Sequence, residues 1–162
     1  MREILFRGKG TSGLSANEWV YGYYCKDFWT PRKGHGILPT DKERGGYVEV
    51  DPSTVGQFTG LTDKNGKRIF EGDIIRYTFD SPDDPTATEN GLKVRTGRIF
   101  WSDWRASFAV TAGINGSASI NNDVARYVRG RQVYEYVRGA NTVEVIGNIH
   151  DNPELLKGGE GL

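Results

Sequence analysis

The sequence predicts a mainly β fold, and three observations carry that prediction. Residues 56–77, GQFTGLTDKNGKRIFEGDIIRY, read as strand, tight turn, strand, Gly-Asp turn and strand. The 22 glycines, eight tyrosines, seven phenylalanines and four tryptophans favour strands and turns over helices. Short apolar runs recur along the chain with Gly, Asn, Asp, Ser and Pro between them.

Each element follows in order. Residues 2–7, REILFR, form a first strand framed by charges, and residues 8–15 a turn rich in Gly and Ser. Residues 18–29, EWVYGYYCKDFW, form an aromatic strand with one crowded face, in which Gly22 marks a bulge or a close backbone approach. Residues 30–46 are a long polar connection that carries His35. Residues 47–50 form a short strand stopped by Asp51-Pro52. Asn65-Gly66 supplies a two-residue turn in which both positions take positive φ. Glu71-Gly72-Asp73 turns the chain into a strand over 74–79. Residues 80–91, with two prolines and several acids, are a loop.

Residues 92–101 and 107–112 read as two strands joined by Ser102-Asp103-Trp104-Arg105. Residues 113–123 are a small polar loop. Residues 124–138, VARYVRGRQVYEYVR, allow one long strand, a hairpin turned at Arg129-Gly130, or part helix. Residues 142–149 form the last strand. Asp151 or Asn152 as cap, Pro153 at the first helical position and Glu154 near the positive end predict a short C-terminal helix. The strands between 56 and 149, with glycines at their corners, suit a small SH3-like or related β-barrel. The expected division is an N-terminal β region over 1–55 packed on or beside the barrel, a barrel over 56–150, and a helical turn and tail over 151–162.

Composition narrows the chemistry. Twenty-one basic and 21 acidic residues balance, which argues against a dedicated nucleic-acid coat but leaves room for a local basic face. Cys25 stands alone, so an internal disulfide and a cysteine-clustered zinc site are excluded, and a small buried apolar role is expected for it. His35 and His150 are the only histidines available as bases near neutral pH, and neither sits in a catalytic motif. GKGTSG at 8–13 lacks the spacing of a phosphate loop. The acids of 80–91 lack a calcium-loop pattern. No catalytic residue, metal ligand or cofactor is assigned. No apolar run reaches the roughly 18 residues of a membrane helix, and the N-terminus lacks a secretory pattern, so cytoplasmic residence without membrane contact is expected.

The strongest local binding signal lies in 124–138. Arg126, Arg129 and Arg131 interleave with Tyr127 and Tyr134, and arginines that reach phosphates beside tyrosines that stack on bases suit single-stranded nucleic acid. Arg95, Arg98 and Arg105 beside Trp101 and Trp104 would extend that face. The competing account is structural: arginines pair with acids such as those of 80–91, and tyrosines fill β faces.

The blocks REILFRGK, TVGQFTGLTDKNGKRIFEGDIIRY and VEVIGNIHDNPELL, in that order, resemble the YopX family of phage and prophage proteins. The resemblance covers both ends and the centre of the chain. It implies a mainly β fold and self-assembly, and it carries no activity and no catalytic residue. Within these blocks, Gly56, Gly60, Gly66, Gly72 and Gly147 suit turns or close packing, and Asp63, Asp73, Asn148 and Asn152 suit backbone capping. The expected function is a non-enzymatic binding or assembly protein of phage or prophage origin. It would act as a homo-oligomer, with a phage or host protein as partner. The alternatives are a nucleic-acid-binding module using the basic aromatic face, and an enzyme using His35 or His150.

Overall fold

The computed structural model describes residues 3–26, 34–41, 45–80, 92–103, 106–111 and 143–156. Two compact units emerge, Met1–Gly60 and Leu61–Leu162. The fold is mainly β, with antiparallel pairing throughout the paired strands.

The first unit holds β1 (Phe6–Lys9), β2 (Trp19–Lys26), β3 (His35–Pro39), β4 (Val48–Glu49) and the start of β5 (Gly56–Thr62). Their order in the sheet is β4-β3-β2-β1-β5. Strand alternation sends Val20, Ile37 and Val50 to one face, where all three are buried and Phe6, Tyr24, Val48 and Val55 pack around them. Each such Val or Ile contributes about 1.5 to 3 kcal/mol by leaving water. Asp51 caps the 3-10 turn Pro52–Thr54, its Oδ1 accepting from the Ser53 N–H at 2.9 Å. Thr54 Oγ1 accepts the Lys9 N–H at 2.8 Å and so fastens that turn to β1.

Two expectations are corrected here. The first strand runs through Gly8 and Lys9 rather than ending at Arg7. Gly8 stays in the ladder opposite Val20 because a Cβ there would stand 3.1 Å from Val50 Cβ. The connection over 30–46 contains β3, disguised by Gly36 and Pro39 around the apolar pair Ile37-Leu38.

In the second unit β6 (Arg68–Phe70) returns after β5 and is followed by β7 (Asp73–Asp80), β8 (Leu92–Ser102), β9 (Ser107–Val110) and β10 (Glu144–Asn148). The last four form a sheet in the order β10-β7-β8-β9. Ile69, Ile75, Tyr77, Ile99, Phe108, Val110, Val143 and Val145 make its core, with Leu61 against them. β8 pairs with β7 as far as Arg98 and with β9 from Ile99 onward. At that exchange the Arg98 N–H donates to Thr111 Oγ1 at 2.7 Å, and the Tyr77 hydroxyl donates to the Thr111 carbonyl at 3.2 Å. Among the described residues neither sheet closes on itself into a barrel.

The turn between β5 and β6 is one residue longer than expected. Gly66 N–H donates to the Asp63 carbonyl and Asp63 N–H to the Lys67 carbonyl, enclosing Lys64, Asn65 and Gly66. Only Gly66 takes positive φ there, at 79°. This is the three-residue hairpin built on a type I turn, which leaves Asn65 in an ordinary conformation.

Asp63 completes the turn from its side chain. It is 7% exposed. Its Oδ1 accepts from Asn65 N–H at 2.8 Å and Lys67 N–H at 2.9 Å, while Oδ2 accepts from Val145 N–H at 3.0 Å. One carboxylate thus ties a hairpin to a strand 82 positions away in sequence. Burial pushes its pKa up, but the three backbone hydrogen bonds and the Lys67 charge outweigh that and hold it below the ordinary carboxylate value. The nearby Lys64–Glu144 pair at 2.8 Å is partly exposed and contributes about 0.2 to 1 kcal/mol.

Asp73 plays the smaller version of this part, its Oδ2 accepting the Phe70 N–H at 2.7 Å across the turn into β7. β10 carries a bulge between Val145 and Gly147. Asn148 then accepts the His150 and Asp151 N–H groups on Oδ1, at 2.9 and 3.0 Å. The C-terminal element is a 3-10 turn, Pro153–Leu156. No helix among the described residues is long and apolar enough to cross a membrane.

Candidate binding face

The chemistry-bearing residues of the first unit collect on one side of its sheet. Val20 and Gly22 point inward on β2, so alternation turns Trp19, Tyr21 and Tyr23 outward. Tyr21 is 41% exposed and Tyr23 55%. On β1, Arg7 lies opposite Tyr21 and Lys9 opposite Trp19, which puts both cations on the same face. On β3, Leu38 lies opposite Tyr23. Glu49 of β4 opposes Gly36, and the same alternation places Tyr47, 48% exposed, on this side as well.

The cations fix the indole. Arg7 Cζ lies 4.7 Å from the centre of the Trp19 ring and Lys9 Nζ lies 5.6 Å from it. Such contacts contribute about 0.5 to 2 kcal/mol each, more when desolvated. Arg7 is nearly buried and serves as a foundation, whereas Lys9 is half-buried and open to a ligand. Across the outward positions of β1, β2 and β3 there are two cations and no carboxylate. The result is a row of aromatic rings about 7 Å apart, bordered on one flank by positive charge.

The five residues singled out by sequence, Arg126, Tyr127, Arg129, Arg131 and Tyr134, lie outside the described residues, as do Arg105 and Trp104. Arg98 and Trp101 both lie on β8, three residues apart, so the strand sends them to opposite faces. Trp101 instead packs edge-on against Phe108 at 5.1 Å. His35 is placed on β3, where its Nδ1 shares a hydrogen bond with the Tyr24 hydroxyl and its ring stacks on Tyr24 at 5.9 Å. His150 is held by its backbone N–H on Asn148. Cys25 is half-buried on the outward side of β2 rather than in the core. Among the described residues no three His, Cys, Asp or Glu side chains gather as a metal site.

The sequence reading recognised β2 as aromatic but did not connect it to Arg7 and Lys9. The available signal was the alternation Trp19, Tyr21, Tyr23 beside a strand with cations two apart.

A family model described as YopX protein matches residues 15–157. Among solved structures, the crystal structure of protein EF1440 from Enterococcus faecalis is similar at 24% identity, covering 96% of this chain and 99% of that one, with a TM-score of 0.49. No curated protein matches the chain.

Proposed function

The chain belongs to the YopX family, and on that premise we propose that it is a non-enzymatic binding and assembly protein whose working surface is the outward face of β2. The observation that carries this reading is the set Trp19, Tyr21, Tyr23 and Tyr47 on one face, with three of the four rings at least 41% exposed. Large aromatic side chains gathered on a surface mark a place where something docks. Their two rotatable bonds let them do so with little loss of side-chain freedom. Homo-oligomeric assembly, and a phage or host protein as partner, are the finer parts of the proposal. Their physical motive is the pair of edge strands β4 and β9. The SH3-like closure of the second unit belongs here too, supported by the partner exchange along β8 and by Gly97, where a Cβ would meet the Thr111 carbonyl at 2.1 Å.

The double variant Tyr21→Ala/Tyr23→Ala tests the surface. Both side chains are exposed, so the unfolding midpoint should stay close to that of the unsubstituted protein, each change moving stability by about 0.5 kcal/mol or less. Sedimentation velocity across the micromolar range and oligonucleotide binding should together reveal a lost interaction. A variant that assembles and binds as before would remove this face from the account. An unsubstituted protein that stays monomeric throughout would remove the assembly part.

A further inference from the structure

We infer that the ligand of this face is single-stranded nucleic acid, an assignment that rests on the binding-face reading above. Trp19, Tyr21 and Tyr23 stand at alternate positions of one strand, so their rings repeat about every 7 Å along it. A single strand with splayed bases presents successive flat π faces at a comparable step. A duplex keeps those faces inside its own stack and offers the rings nothing to cover. Positive charge borders the row on β1, and no outward carboxylate on β1, β2 or β3 opposes a phosphate chain running beside it. Lys9 is the cation placed to meet phosphate; Arg7 holds Trp19 in position from below. The tyrosine hydroxyls add hydrogen-bonding capacity at the ring edges, where base edges and sugars lie. Stacking tolerates every base, so the face should bind with little sequence preference.

The test is fluorescence anisotropy with labelled single-stranded DNA and RNA of about 12 nucleotides and the matching duplex. The proteins are the unsubstituted chain, Tyr21→Ala/Tyr23→Ala, Tyr21→Phe/Tyr23→Phe, Lys9→Ala, and Leu14→Ala as a fully exposed control elsewhere. The unsubstituted chain should prefer single strands over duplex. The alanine pair should weaken binding about tenfold or more, while the phenylalanine pair, which keeps the rings, should stay within about threefold. Lys9→Ala should flatten the logarithmic salt dependence by about 0.7, the share of one phosphate contact on a single strand.

Equal binding of duplex and single strand, or single-strand binding indifferent to the alanine pair, would overturn the inference. Absence of single-strand binding by the unsubstituted chain would overturn it too. If self-association still depended on Tyr21 and Tyr23 in that last case, the binding face would stand and only its ligand would be wrong. If neither binding nor self-association responded to the tyrosines, both readings would fail.

Discussion

Replacing Asp63 by alanine should destabilise the second unit by about 3 kcal/mol or more, because charged acceptors of backbone N–H groups contribute about 1.5 to 3 kcal/mol each and the Val145 N–H is left buried without its acceptor. The loss should appear in urea unfolding as a lower midpoint with an unchanged slope. The pH dependence follows from the lowered pKa. A carboxylate whose folded pKa lies below its unfolded value, about 3.9, contributes stability that is fully present above the unfolded value. That contribution is lost as pH falls through the folded pKa. The acid limb of the stability curve should therefore be steeper with Asp63 than without it. Asp63→Asn separates the two effects. Its amide oxygen can still accept from Asn65 and Lys67, but its NH2 group would face the Val145 N–H donor to donor. An intermediate loss of stability and a flatter acid limb are expected. A variant as stable as the parent across pH would show that the carboxylate does not hold the hairpin to β10.

Gly22→Ala is the second large effect. A Cβ at that position would stand 1.9 Å from the Leu38 carbonyl oxygen and 2.9 Å from Pro39 Cα. Both are backbone atoms of the neighbouring strand, so no side-chain rotation relieves the clash, and the β2–β3 ladder must shift. Overpacking of this kind costs about 1 to 3 kcal/mol, and a backbone clash falls at the upper end. Gly45→Ala is the control, since nothing lies within 4 Å of its Cβ position and its φ is not in the left-handed region. Thermal unfolding of the two variants should separate by several degrees. Equal midpoints would contradict the close approach of β2 and β3.

Local chemistry explains which elements were legible in the sequence. The span 56–77 announced itself because Asp63, Gly66, Gly72 and Asp73 are turn residues whose functions are local, each bonding within a few positions or supplying positive φ. The second contact of Asp63, to Val145, was not legible, because no pattern within a window around residue 63 refers to residue 145. β3 was hidden because His35-Gly36-Ile37-Leu38-Pro39 is short, and its glycine and proline carry loop signals. Its strand character comes from being flanked by β2 and β4. Gly8 misled for the same reason: a glycine that yields room to Val50 looks like a turn glycine until the neighbour is known. In the turn at Asn65, the dipeptide signalled a hairpin correctly, but the loop length was set by the hydrogen bonds of Asp63.

The candidate face was half legible. Alternation along β2 predicted a shared side for Trp19, Tyr21 and Tyr23, and strand periodicity suffices for that. Pairing with Arg7 and Lys9 depends on the register of β1 against β2, which is fixed by the burial of Val20 opposite Gly8 and Gly22 opposite Phe6. Net charge concealed it further, since a balanced total of 21 and 21 charged residues says nothing about where two cations sit.

The central claim is that the outward face of β2 is where this protein meets its ligand. The most direct measurement is a two-dimensional amide NMR titration with single-stranded DNA, reading which residues respond. The account predicts shifts concentrated in Arg7–Lys9, Trp19–Lys26 and Leu38, with the Trp19 indole N–H among the largest. Shifts confined to Leu61–Leu162, or a spectrum unchanged at saturating oligonucleotide, would contradict it.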